Sequence, residues 1–282
     1  MLAISAPRQP LLLAASLVLA GAIALTIHVA MLASGVPFPM SSPPAWARWL
    51  NLSLAIGAVL VVLRLAGPDF ARRGFLARTL IVFALLFTIR ETARAGIMSG
   101  VVTTGWAYSA LGLIEPAARI LIQAVLCVAA ARWVRGGGSL VVAALATGAV
   151  CMGGQVLAGM ALAPLMEHFA WLARPAQYAF PYPFHVTLAA YLTMLEPVIG
   201  ATLFLALVWH RLPGTKMARL LASALLVALL KGIVGITFLF GFFMKQPPLE
   251  GMLSYSQFLF EFLALGFLAA LAWDAFGPGV QA

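Results

Sequence analysis

The sequence predicts an all-α polytopic membrane protein, a bundle of about eight transmembrane helices with both termini on the inner side. Three observations carry that reading. Hydrophobic residues fill 63% of the 282 positions and charged residues only 9%, with a mean hydropathy of +1.05, whereas soluble domains average about 25% charged residues. Apolar runs recur at the length needed to cross about 30 Å of hydrocarbon, roughly 20 residues each. The runs lack the alternation of barrel strands, and in lipid the remaining way to satisfy every backbone group is the helix.

Taken in order, the spans fall at 11–34, 46–66, 74–98, 116–134, 139–162, 184–209, 217–243 and 252–274. The apolar run of the first exceeds the 7–15 residues of a signal-peptide core, so it reads as a retained span. The second follows the proline-rich stretch GVPFPMSSPPAW. The third runs from LIVFALLF straight into TIRETARAG, and the fourth starts at Pro116, a residue suited to a first helical turn. The fifth carries VCMGGQVLAG, small residues spaced for close helix packing. The sixth ends at HRLPGTK; the seventh contains KGIVG, whose glycines admit a neighbouring helix close to Lys231. All eight belong to one integral membrane domain, 1–282. The pairs Arg90/Lys231 and Arg119/Glu261 lie 141 and 142 residues apart. This suggests a weak four-plus-four repeat, about 1–140 and 141–282, of the parallel kind seen in transporters.

Orientation follows from the basic residues. With the N-terminus inside, the inner connections hold Arg8, Arg64, Arg72, Arg73, Arg78, Arg132, Arg135, Arg211, Lys216 and Arg219, and the outer ones only Arg48, Arg174 and Lys245. That bias predicts both termini in the cytoplasm of a plasma (bacterial inner) membrane. The formal charge of +9 is therefore topological, and no nucleic-acid partner is expected. Within the outer-face segment of about 163–183, PLMEHFAWLAR is expected to lie along the interface as a short amphipathic helix. Cys127 and Cys151 sit inside apolar runs and predict no disulfide. His28, His168, His185 and His210 show no ligand spacing, so neither a metal nor another cofactor is expected.

The informative anomaly is TIRETARAG, which places Arg90, Glu91 and Arg94 inside a span. At 100° per residue the three share one helix sector. Glu115, Arg119 and Gln123 share a stripe of the fourth span, Thr193, Glu196 and Gly200 one of the sixth, and Ser254, Gln257 and Glu261 one of the eighth. At 1.5 Å per residue, Arg90, Lys231, Glu196 and Glu261 each lie about 18–21 Å from the inner end of their helices, nearly one height. Charges at that depth are costly unless paired or hydrated, so the sequence predicts one buried polar cluster at or just outside the membrane midplane.

The candidate substrate-binding residues are Arg90, Arg94, Arg119 and Lys231, joined by Gln123, Gln155, Gln257 and Tyr255; Glu91, Glu196, Glu261 and Glu115 are the candidate proton-coupling or ion-pairing acids. Arginine's planar donor fork suits carboxylate and phosphate oxygens. Three functional readings follow. The first is a carrier or flippase-like protein for an anionic, lipid-linked or small, substrate, with coupling through a proton on Glu196 or Glu261. The second is a membrane subunit whose ion pairs are structural and whose surface binds a membrane or periplasmic protein. The third is an intramembrane enzyme acting on a lipid or peptide, with Glu91 or Glu261 as base and Ser99, Tyr255 or Cys151 as the nearby reactive group. Membrane lipids are partners in all three.

Overall fold

The computed structural model describes residues 7–278, and every regular element within them is helical. The elements are α1 (Pro10–Ala33), α2 (Ala45–Leu65), α3 (Gly67–Phe70), α4 (Phe75–Ile89), α5 (Thr92–Thr103), α6 (Trp106–Leu111), α7 (Ile114–Ala130), α8 (Gly137–His168), α9 (Phe184–Thr193), α10 (Leu195–Val208), α11 (Lys216–Lys231), α12 (Ile233–Gly235) and α13 (Pro248–Phe276). From α12 the chain runs through a π-helical turn, Ile236–Phe240, and a 3-10 turn, Gly241–Phe243.

The chain ends of α1 and α13 fix the two ends of the bundle. At one end the Arg8 and Gln9 N–H groups donate to the Gly277 and Phe276 carbonyls at 3.4 and 3.3 Å. At the other, Ser254 Oγ donates to the Pro37 carbonyl at 2.6 Å. The two helices are therefore antiparallel neighbours, and α1, with 24 residues, separates the ends by about 36 Å. The first end gathers the short basic connections and is pinned by ion pairs Arg211–Asp69 (2.6 Å) and Lys216–Asp274 (2.7 Å). The second end carries the proline-rich loops 34–44 and 173–183.

Between them Ile56, Leu60, Leu85, Leu86, Ile89, Phe204, Phe262 and Leu265 form a core no more than 1% exposed. Large apolar side chains also face outward, among them Leu19, Leu76, Val142, Leu157 and Met160. In water such a surface would associate; hydrocarbon is the solvent that suits it.

Among the described residues six helical stretches are long and apolar enough to cross a membrane, and a seventh is the pair Lys216–Lys231 and Ile233–Phe243, bent by 79°. Three of the expected spans are interrupted. The segment 74–98 is two helices, α4 and α5, because Glu91 adopts a left-handed conformation (φ +58°). The segment 217–243 turns at Gly232, which takes φ +83° as a helix-ending glycine. A third interruption, at Met194, divides α9 from α10 within an otherwise continuous stretch. The interfacial helix expected over 164–174 is also corrected. α8 continues through Pro164 to His168, and only Ala170–Leu172 forms a separate 3-10 turn. The following loop rests on the end of α5, where the Gln177 N–H donates to the Val102 carbonyl at 2.9 Å.

Candidate functional site at two helix breaks

A helix that stops inside a membrane leaves carbonyls at its C-terminus and N–H groups at the next N-terminus without partners, and lipid offers none. Charged side chains from other helices meet that need at TIRETARAG, and Arg90 returns the contact. Lys231, at the end of α11, donates from Nζ to the carbonyl of Arg90, the residue that closes α4, at 3.1 Å. Arg90 Nε donates back to the carbonyl of Leu230 at 3.4 Å. The first N–H groups of α5 find their acceptor on another helix: Glu196, in the first turn of α10, accepts from Ala93 N–H through Oε1 (3.0 Å) and from Arg94 N–H through Oε2 (2.5 Å). Gly200, one turn further along α10, makes the approach possible. A Cβ there would come within 2.6 Å of Ile89 Cγ1 and 2.8 Å of the Ile89 nitrogen.

Glu91 holds the centre. Its two carboxylate oxygens are divided between Arg94 Nη1, at 2.5 Å, and Lys231 Nζ. Lys231 also lies over the Phe262 ring, 4.5 Å from its centroid. Glu261, one residue earlier on α13, is 1% exposed, and its Oε1 has no hydrogen-bond partner among the described residues. The nearest opposing group is His28 Nδ1 of α1, 3.6 Å from Glu261 Oε2 and also unpartnered. Glu261 is therefore the cluster's unsatisfied acid, whereas Glu196 accepts from two backbone donors.

Two open clefts flank this cluster. The first, of about 470 Å³, lies between α2, α8 and the bent segment after Lys231, and Arg48, Asn51, Arg90, Arg119, Gln155 and Lys231 supply its polar lining. The second, of about 510 Å³, lies among α5, α6 and α7, with Arg90, Glu91, Thr92, Ser99, Tyr108 and Ser109 in its wall. Arg90, Arg119 and Gln155 line both and form the partition. Among the described residues four cationic side chains and no carboxylate line the first cleft. Among the described residues Arg90 has no acidic side chain within ion-pair distance.

The remaining sequence candidates separate into two groups. Arg119 pairs with Glu115 along α7, both side chains partly exposed, and the pair packs against α8 at Gly159. Gln155 donates to the Arg119 carbonyl at 3.4 Å. These join the site. Tyr255 and Gln257 line neither cleft: Tyr255 shares a 2.5 Å hydrogen bond with Ser41, and Gln257 Nε2 donates to the Pro37 carbonyl at 3.2 Å. Both tie down the loop 34–44. Gln123 is fully buried, with both amide atoms unpartnered among the described residues, and it too lies outside both clefts. Sequence reasoning missed Arg48 and Asn51, whose three-residue spacing puts them on one face of α2, and it treated His28 only as an absent metal ligand. Asn51 Oδ1 is buried without a partner among the described residues.

Outside the spans, the hydrogen bond from Arg211 holds the Asp69 carboxyl below its ordinary range. This belongs to the basic end and stands apart from the clefts.

Fold and site together define a multi-pass helical membrane protein with charged residues at interrupted helices. Compared with protein-family models, with curated proteins and with solved structures, the chain matches none.

Proposed function

We propose that the protein is a membrane carrier or flippase-like protein that takes an anionic, lipid-linked substrate at the partition between the two clefts. In this reading the basic end and both termini face the cytoplasm of a bacterial-type inner membrane, and the clefts lie in the outer half. The observation that carries it is the imbalance of the first cleft. Arg48, Arg90, Arg119 and Lys231 line it. Arg119 and Lys231 are paired with Glu115 and Glu91, but among the described residues Arg48 and Arg90 have no acidic side chain within ion-pair distance. Two such cations in low dielectric favour an anion. Intramembrane ionisable residues ordinarily mark a pathway or a site. The unpaired Asn51 Oδ1 offers a further polar contact. Glu261 is the coupling acid of this reading. It has a free carboxylate oxygen in the interior, and it faces His28 with Lys231, Glu91 and Arg94 nearby.

The test is binding of dioctanoyl phosphatidic acid to the purified protein in phosphatidylcholine nanodiscs. Arg90→Ala is expected to weaken binding at least 10-fold while retaining the helical circular dichroism and a monodisperse elution profile. Unchanged binding by this variant sinks the proposal.

A second reading, a membrane subunit with purely structural ion pairs, has one observation in its favour. Glu91, Arg94, Lys231 and Glu196 are all engaged in pairing or capping contacts. Co-purification with another protein at fixed stoichiometry would favour it. The enzymatic reading draws less support. Ser99, Tyr255 and Cys151 contact Ser109, Ser41 and Gln155, none of which is a base.

A further inference from the structure

Resting on the anionic-carrier reading, we infer its substrate class: a phosphodiester amphiphile whose phosphate joins a hydrocarbon chain to a polyhydroxylated headgroup. The two clefts differ in chemistry on either side of one cationic wall. Beyond its charges and the amides of Asn51 and Gln155, the first cleft is apolar, lined by Leu52, Met152, Val156, Ile236 and Phe240. Val156 is 55% exposed, so this cleft reaches the lipid-facing surface of α8 and gives a chain a way out into the bilayer. The second cleft sets hydroxyls, from Thr92, Ser99, Tyr108 and Ser109, into a wall shared with Ala95, Leu113, Pro116 and Ile120, with Ser109 donating to Ser99 at 3.0 Å. Gly96 and Gly112 add small-residue wall.

Hydroxyl groups both donate and accept hydrogen bonds, which matches the hydroxyls of a sugar or polyol. An ammonium headgroup would find no free carboxylate there among the described residues. The one carboxylate in that wall, Glu91, is already divided between Arg94 and Lys231. Each cleft has the size of a small-molecule site. Arg90 and Arg119, shared by both clefts, are placed to hold the phosphate between the two parts, a role for which arginine's fork is suited.

The experiment measures three probes against the full-length protein in phosphatidylcholine nanodiscs: dioctanoyl phosphatidylinositol, dioctanoyl phosphatidic acid and free inositol 1-phosphate. Phosphatidylinositol is expected to bind at least 10-fold more tightly than either other probe. Ser99→Ala/Ser109→Ala is expected to reduce it to the level of phosphatidic acid and leave phosphatidic acid unchanged, with Tyr108→Phe giving a partial loss in the same direction. Arg90→Ala is expected to lose both lipids. If both lipids bind equally and both depend on Arg90, the headgroup assignment is overturned while the carrier reading stands. If inositol phosphate alone binds as tightly as its lipid, the chain assignment is overturned. If no probe shows Arg90-dependent binding, the carrier reading and this inference fall together.

Discussion

The Lys231 ammonium donates to the carbonyl of Arg90 at 3.1 Å while the Arg90 guanidinium donates to the carbonyl of Leu230 at 3.4 Å. Each of two helices interrupted within the bundle thus ends on a cation supplied by the other. Glu91 lies beside this exchange in a left-handed conformation, which costs an L-residue about 1–2 kcal/mol. Its pairing with Arg94 and Lys231 offsets that cost.

Removing one member of this set leaves buried charge behind. Glu91→Ala is expected to lower stability by about 3–5 kcal/mol, read from thermal unfolding in detergent. Lys231→Met should cost a similar amount, since it strands Glu91 with Arg94 alone and frees the Arg90 carbonyl. The double variant should cost less than the sum of the two, because neither residue then leaves the other unpaired. Strict additivity would show that the contacts are not coupled.

Glu196 makes a separate prediction. Glu196→Ala leaves the Ala93 and Arg94 N–H groups without acceptors and should cost about 1–3 kcal/mol, with faster hydrogen exchange at those two amides. Glu196→Gln keeps one carbonyl acceptor and should lie between. Unchanged exchange in the alanine variant would mean that α5 is capped by something other than this carboxylate.

Gly200 sits where α10 meets the end of α4. Gly200→Ala brings a methyl group to within 2.6 Å of Ile89 Cγ1 and 2.8 Å of the Ile89 backbone nitrogen. The backbone cannot yield as a flexible side chain can, so overpacking of about 1–3 kcal/mol is expected. Gly153, whose added Cβ would meet nothing within 4 Å, is the control: Gly153→Ala should be neutral or slightly stabilising in its helix.

The basic end should respond to acid. The Asp69 carboxyl is depressed by its hydrogen bond from Arg211, so its stabilisation is fully present above the unfolded value, about pH 4. It is lost as pH falls through the lower folded value. The pair is partly exposed, with side chains 31% and 38% accessible, which limits the effect to about 1 kcal/mol. Asp69→Asn should therefore melt slightly below the wild type at pH 7, and the gap should narrow as pH falls below about 4. A gap that does not narrow with acid would rule the pairing out as its source.

Hydropathy made the helical class and the long apolar stretches legible, and counting depth along the helices put Arg90, Lys231, Glu196 and Glu261 at nearly one height. Lys231 meets Glu91 and the Arg90 carbonyl, and Glu196 caps the helix that follows them. The break at Glu91 was not legible. No proline or glycine separates LIVFALLF from TIRETARAG, and the groups that sustain the break, Glu196 and Lys231, are more than 100 residues away in the chain. Gly232 carried a helix-ending signal, a glycine after a basic residue, but KGIVG reads as a close-packing site and the span as continuing to 243. Tyr255 and Gln257 were misplaced for a different reason. A polar stripe tells which face of a helix avoids lipid but not what lies opposite, and here it is the loop carrying Pro37 and Ser41.

The 79° bend after Lys231 acquires a mechanical meaning from its partner. Straightening α11 into α12 would withdraw the ammonium from Arg90 and strand the end of α4; straightening α4 into α5 would take the guanidinium from Leu230. The two interruptions form a single joint, and whatever swings one arm must carry the other with it.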